Sequence, residues 1–381
     1  NNQDLLENKD IEYTSDKNKL ANVDLFLVAL PTPIDKFKNP DLSYLKNGCE
    51  IIGNAIKKRT SKTKPIIIFE STVYPGCTEE FCIPIIENTS GFKHNLKKNK
   101  KTFFSGYSPE RINPGDATKG LQDIVKVVSG CNEEIAEIID DFYSSFIKAG
   151  TFKTKSIKVA ETAKIIENTQ RDINIALVNE LAIICEKLEV DTLDVLEAAS
   201  TKWNFQNFKP GLVGGHCISV DPYYLTYKAQ EVGYKTKVVL SGREINDGMS
   251  RWLVDKIILE AVKKGLTPKG CSILIMGVTF KENCPDIRNS KVIEIINALK
   301  IYGFNIKIFD PLADNNIVTE LCNIGLTNDI KNELFEIVFI SIGHNEFRKL
   351  EISFWDKFIK NNSLIFDVKG ILPRSINAIR L

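Results

Sequence analysis

The sequence predicts an α/β protein with two open parallel-sheet domains joined by a helical middle. Two observations carry the sheets: short apolar runs alternate with amphipathic stretches near the start of the chain, and they do so again near its end. That alternation reads as parallel strands covered by helices. The third observation is the stretch Ser156–Leu188, which holds neither proline nor glycine. Its apolar residues Val159, Ala163, Ile166, Ile173, Ala176, Leu177 and Leu181 recur at spacings of three and four, as in a packed helix. A chain of 381 residues has room for two or three domains.

Composition fits a water-soluble globular protein, with 43% hydrophobic and 26% charged residues. Fifty Lys and Arg against 49 Asp and Glu leave a net charge of +1, so composition gives no reason to expect nucleic acid or a membrane surface as partner. The lysine runs at 57–59 and 97–101 read as solvated loops. Nine irregularly spaced cysteines without a CxxC pair, and only three histidines, argue against a zinc site or a disulfide framework. No metal is expected. Without a signal peptide or an apolar run of membrane-spanning length, the expected setting is a reducing cytoplasm.

In order, Asn1–Ala21 is polar and shows no strand. The first strand is expected at Asp24–Leu30, followed by Pro31-Thr32-Pro33-Ile34-Asp35. The second, Pro65–Phe69, ends in Glu70-Ser71-Thr72-Val73-Tyr74-Pro75-Gly76. A third apolar segment reaches the block at 106–116, GYSPERINPGD, and a fourth covers Ile124–Val128. Helices are expected at Leu42–Lys58, Glu133–Lys148 and Thr192–Ala199, with a long connecting helix from about Arg243. Two glycines and a proline in Gly265–Gly270 mark a boundary. Beyond it come strands at Ser272–Val278, Asn305–Phe309, Ile337–Ile342 and Ser363–Phe366, and a helix at Ser290–Tyr302.

The chemistry concentrates in Gly214-Gly215-His216-Cys217-Ile218-Ser219-Val220-Asp221-Pro222-Tyr223-Tyr224-Leu225. A glycine pair permits a tight turn and a close backbone approach. Cys217 follows that turn, and Asp221 falls on its side if the chain turns helical there. A lone cysteine is more often a buried, inert thiol. Lys164 and Asn168 share one face of the long helix, where two solvated polar residues are the ordinary alternative.

The Cys217 block resembles the catalytic segment GGHCIPVDPYYL of the UDP-glucose and UDP-N-acetylhexosamine 6-dehydrogenases, in the UDP-glucose/GDP-mannose dehydrogenase family. Ser219 stands where proline is common. PTPID at 31–35, ESTVYPG at 70–76 and GYSPERINPGD at 106–116 match further family blocks in order. The resemblance implies two Rossmann-like domains around a central helical dimerisation domain, divided at 1–155, 156–265 and 266–381. It also implies an opening β-α-β unit with a Gly-rich dinucleotide loop, expected ahead of Asn1.

The implied activity is oxidation of a sugar nucleotide at C6, twice, with NAD. The family roles fall on Cys217 as nucleophile, on Lys164, Glu110 and Asp221 as the proton network, and on Asn168 as a stabiliser of charge. Thr72 would hold the hydrolytic water. Thr32, Pro33, Ser71 and Thr72 would line the nicotinamide, and Arg288 would reach the NAD pyrophosphate. Glu110, Arg111, Phe205, Gly214, Phe280 and Lys281 are candidates for the UDP-sugar, with Lys164 and Asn168 beside C6 and Arg243 reaching across a homodimer. Each has an ordinary alternative: Glu110 as a surface ion pair with Arg111, Thr72 as a helix N-cap, Arg288 as a solvated loop residue.

Lys202-Trp203 replaces an arginine of the UDP-glucose enzymes, and with GGHC this leans toward an N-acetylated sugar. Capsule or O-antigen precursor synthesis is the implied setting. UDP-glucose and UDP-ManNAc remain alternative substrates. A one-step hydroxyacid-type dehydrogenase and an inactive sugar-nucleotide binder remain alternative functions.

Overall fold

A computed structural model describes residues 11–113, 119–328, 330 and 333–381. Residues 1–10 of the polar opening and Pro114-Gly115-Asp116 of the third block lie outside these. The chain forms two compact units, one ending at Ile165 and one from Ile166 to Leu381.

The first unit is built on β1 (Leu25–Val28), β2 (Ile66–Phe69), β3 (Lys93–His94), β4 (Thr102–Tyr107), β5 (Lys126–Gly130) and β6 (Thr151–Lys153). Their order is β1-β2-β4-β5-β6, with β3 against β4. β2 is a run of four buried apolar residues between two neighbouring strands. The helices are α1 (Ser43–Lys57), α2 (Ile83–Ser90) and α3 (Glu133–Ser144). Asn132 caps α3 by accepting from the Ile135 N–H at 3.1 Å, and Glu133 and Glu134 suit the positive end of its dipole.

The sheet departs from the all-parallel expectation at one pair: β5 runs antiparallel to β4, with Gly106 opposite Gly130. Among the described residues of 108–125 the regular structure is one short 3-10 turn, Leu121–Asp123. An antiparallel return needs no helical crossover, whereas a parallel one commonly uses a helix. The brief strands β3 and β6 were not legible in the apolar pattern.

The helix α4 (Ile157–Lys187) carries the chain from the first unit into the second. The second unit continues with α5 (Thr192–Ser200), α6 (Asp221–Glu231) and α7 (Val238–Lys263). α7 begins five residues before Arg243, where the connecting helix was expected. Then follow β7 (Ser272–Met276), α8 (Lys291–Ile301), β8 (Asn305–Phe309), α9 (Asn315–Cys322), β9 (Ile337–Ile340), α10 (Asn345–Arg348), α11 (Ile352–Lys360), β10 (Leu364–Asp367) and β11 (Ile379–Arg380).

All pairs in the second sheet are parallel, in the order β11-β10-β9-β7-β8. Alternate residues of β7 face opposite layers. Ile273 and Ile275 join Leu253, Val254 and Ile257 of α7, whereas Leu274 and Met276 join Phe347, Trp355 and Phe358. Burial on both faces explains why these strands read as unbroken apolar runs.

Candidate active site

Cys217 lies just before α6, whose first turn carries Asp221 and Pro222. The Val220 and Asp221 N–H groups donate to Cys217 O at 3.0 and 2.8 Å. The second is a helical i→i+4 bond, so Cys217 and Asp221 stand one turn apart as expected. Cys217 is exposed, seven other cysteines are buried, and Cys131 is half-buried. Burial pushes the Cys271 thiol up to about 12 and also raises those of Cys322 and Cys131. Contacts with the Cys49 and Cys77 thiols, and then burial, raise Cys82 well above the ordinary value. Only a thiolate is a good nucleophile, so these positions hold inert thiols.

Asp221 is 2% exposed, and Asn168 on α4 donates its Nδ2 to Asp221 Oδ2 at 2.6 Å. Lys164 and Asn168 are both buried, which excludes the solvated-pair reading. Upstream of Cys217, Asn179 of α4 grips Gly211, donating to its carbonyl at 3.0 Å and accepting from its N–H at 2.8 Å. Phe205 is partly exposed after Trp203, whose side chain is 92% exposed.

Arg243, the residue expected to reach substrate across a homodimer, is held by neighbours in its own chain. It is 2% exposed and held within the chain by Asp172 Oδ1 at 2.6 Å and Asp247 Oδ1 at 2.5 Å, with the Tyr223 ring 5.5 Å away. Nη1 and Nη2 of its one guanidinium each meet a carboxylate of the same chain. Asn246 completes the cluster by donating to Asp172 Oδ1 at 2.7 Å.

On the loop that follows β7, Phe280 meets His216 edge to face at 6.1 Å, and Lys281 Nζ stands 5.5 Å over the Phe280 ring. Arg288 grips Asp286 through Nη2 at 2.7 Å and Nε at 3.0 Å, while its side chain stays 72% exposed. Partial burial would raise the Asp286 carboxyl, but hydrogen bonds from Arg288 and His216 outweigh it and hold that group far below the usual carboxylate range. Sequence reading missed Lys369, which follows β10 and lies against Gly211. Glu282 is 3.8 Å from Lys369 and 3.6 Å from Arg348. Enclosure pulls the Lys369 amine below its ordinary value. Lys369 and Arg348 thus share the Glu282 carboxylate.

In the first unit the loops after β1 and β2 meet beyond the carboxyl ends of adjacent parallel strands. That crevice is where open α/β sheets bind nucleotides. Thr32 Oγ1 donates to Thr72 O at 2.6 Å. Ser71 Oγ accepts from Leu30 N–H at 2.9 Å and donates to Val28 O at 3.3 Å. Ser71 is therefore committed to holding the loop. Pro33 is exposed beside them. These strand-end groups suit one part of a dinucleotide.

Thr72 caps no helix. A π-helical turn begins at Thr78, and its leading N–H groups are taken by Glu161 of α4. The Glu161 carboxylate accepts from Gly76 N–H at 2.5 Å and Thr78 N–H at 2.9 Å. Burial pushes its carboxyl up to about 7 despite these bonds. Glu161 carried no sequence signal, because its partners stand some 85 positions away.

Glu110 Oε1 accepts from its own neighbours, the Arg111 and Ile112 N–H groups, at 2.6 and 2.5 Å. Arg111 Nη1 donates to Val125 O at 2.6 Å. A cluster of polar side chains holds the backbone just before Glu110. Lys126 donates to Pro109 O at 3.2 Å and pairs with Glu70 at 3.4 Å, while Tyr143 donates to Glu70. Among the described residues no group of three or more His, Cys, Asp or Glu could hold a metal ion, and no helix is long and apolar enough to cross a membrane.

Three models of the UDP-glucose/GDP-mannose dehydrogenase family match the chain: the NAD binding domain at 3–147, the central domain at 158–248 and the UDP binding domain at 274–374. Protein CapL of Staphylococcus aureus is 49% identical over 96% of this chain and 84% of its own length. The UDP-N-acetyl-D-glucosamine 6-dehydrogenase of Salmonella typhi is 44% identical over 100% of this chain and 87% of its own. The solved structure of UDP-D-ManNAc dehydrogenase from Pyrococcus horikoshii superposes with a TM-score of 0.84 at 26% identity, covering 99% of this chain and 85% of that one. The chain belongs to the UDP-glucose/GDP-mannose dehydrogenase family and is an NAD-dependent UDP-sugar 6-dehydrogenase.

Proposed function

We propose that this chain oxidises the C6 alcohol of a UDP-N-acetylhexosamine to the carboxylate in two steps, with Cys217 as the nucleophile. The observation that carries this reading is the exposed Cys217 thiol, one helical turn from a buried Asp221 fixed by Asn168. Relatives named UDP-N-acetyl-D-glucosamine 6-dehydrogenase, 44% identical to this chain, support N-acetylglucosamine as the sugar.

NAD supplies the hydride acceptor for both oxidations when bound; Thr32, Pro33, Thr72 and Arg288 would hold it, with Ser71 fixing the loop. In the first oxidation C6 loses a hydride, and the hydroxyl proton passes to the network of Lys164, Glu110 and Asp221. The Lys164 ammonium and the Asn168 amide stabilise negative charge on the reacting oxygen. The Cys217 thiolate then adds to the aldehyde carbon, and the oxygen takes up a proton, giving a thiohemiacetal. Loss of hydride and proton from that adduct leaves a thioester. Water positioned by Thr72 and deprotonated by Asp221 or Glu110 cleaves the C–S bond, releasing carboxylate and restoring the thiol.

Arg111, Phe205, Gly214, Phe280 and Lys281 serve the nucleotide and sugar. The organisation is 1–155 for NAD, 156–265 for the helical core and 266–381 for the UDP-sugar. The same reading makes the enzyme a cytoplasmic homodimer that supplies uronate precursors for capsule or O-antigen. Light scattering tests the dimer.

NADH yield separates the readings. With UDP-GlcNAc or UDP-GalNAc, two NADH per sugar are expected, and UDP-glucose and UDP-ManNAc should turn over more slowly. One NADH per sugar would make this a one-step dehydrogenase. Preference for UDP-ManNAc would overturn the substrate assignment alone.

A further inference from the structure

We propose that His216, Asp286 and Asn289 are positioning residues for the Cys217 thiol: they seat the loop 214–217 on the loop that follows β7, so the second sheet sets where the nucleophile stands. This rests on the Cys217 reading above.

Four contacts join the two loops. His216 Nε2 lies 3.0 Å from Asp286 Oδ2. An ionised carboxylate only accepts, so Nε2 carries the proton in this bond. Arg288 fixes Asp286 from the other side, by its backbone N–H at 2.9 Å and by its fork. Asn289 holds Gly215 in both directions, with Nδ2 donating to Gly215 O at 3.2 Å and its own carbonyl accepting from Gly215 N–H at 3.4 Å. The Phe280 ring lies against Gly215.

The glycine pair is explained by this docking. A Cβ on Gly214 would come 2.5 Å from Asn289 O, and one on Gly215 would come 2.7 Å from the Phe280 ring. Gly215 also has a φ of +88°, where other residues are strained. Asn289 itself sits at φ +55°, a conformation asparagine tolerates better than most residues. Cys217 is thus clamped on both sides, by His216 before it and by the first turn of α6 after it.

The first oxidation, alcohol to aldehyde, needs no sulfur, whereas the second begins with attack by Cys217. Loosening the dock should therefore slow the second step selectively. The test uses His216→Ala and Asn289→Gly, the latter keeping a residue suited to positive φ while removing the amide. Both are compared with wild type and Cys217→Ala, using UDP-GlcNAc, NAD and an alkoxyamine that traps free aldehyde. Thermal midpoints report on folding. The expected result is trapped sugar aldehyde, a KM for UDP-GlcNAc close to wild type, and a second step slowed about 10- to 100-fold, as a displaced catalytic group commonly causes. His216→Gln keeps an N–H near the Nε2 position and should recover most of the rate.

If His216→Ala fails to fold, Asn289→Gly carries the test alone. Wild-type rates for both steps in a folded Asn289→Gly or His216→Ala, with Cys217→Ala stalled at the aldehyde, would overturn this proposal and leave the nucleophile in place. Two NADH per sugar from Cys217→Ala would overturn the nucleophile assignment itself.

Discussion

Asn168 and Asp221, separated by 53 positions in sequence, meet through one buried 2.6 Å hydrogen bond from amide to carboxylate. The bond orients a carboxylate that is 2% exposed one turn from the Cys217 thiol. Asp221→Asn keeps the shape and removes the charge. Turnover should fall by roughly 100-fold, the usual scale for losing a positioned acid–base group, with little change in KM. Steady-state kinetics check this. Unchanged turnover would remove Asp221 from the proton network.

Lys164 is buried on α4, one turn before Asn168. Lys164→Ala should cut kcat by about 100-fold or more while UDP-sugar affinity stays near wild type, since it removes a charge that matters most when the oxygen becomes negative. Calorimetric titration alongside kinetics separates the two effects. A rise in KM with kcat intact would reassign Lys164 to ground-state binding.

Legibility followed sequence distance. β2, β7 and β9 were plain because each is an apolar run buried on both faces. The Cys217–Asp221 relation was plain because it spans a single turn. The partners of Arg243 were not, because Asp172 lies 71 positions away and a helical arginine looks solvated until its neighbours are known. The reversal of β5 depends on how a loop crosses the sheet, which the apolar pattern does not encode. Ser71 looked like a ligand-facing hydroxyl; its bonds to Leu30 and Val28 appear only when β1 and β2 stand side by side.

Glu161 links pH to the stability of the first unit. Its folded pKa is about 7 against an ordinary 4.5, so the folded state holds a proton that the unfolded chain releases between those values. Its contribution is full below about pH 4.5 and is lost as pH rises through about 7, amounting to at most about 3 kcal/mol. Glu161→Gln should flatten that part of the profile, measured by urea unfolding from pH 5 to 8. An unchanged slope would remove Glu161 as its source.

Arg243 and Asp172 form an ion pair with both side chains almost fully buried. Burial raises the Asp172 carboxyl, and Arg243 opposes that rise. Arg243→Ala strands two carboxylates and should cost about 3–5 kcal/mol in denaturant unfolding. A cost below about 1 kcal/mol, the range of an exposed pair, would show that Arg243 is free to serve another partner.

The nucleophile is tested most directly on Cys217→Ser, incubated with UDP-GlcNAc and NAD and then examined by peptide mass spectrometry. A serine adduct can still be oxidised, but its ester is hydrolysed more slowly than a thioester, so sugar nucleotide should accumulate covalently at residue 217 while steady turnover nearly stops. Wild-type-like turnover with two NADH per sugar and no mass added at residue 217 would contradict the assignment of Cys217 as the attacking group.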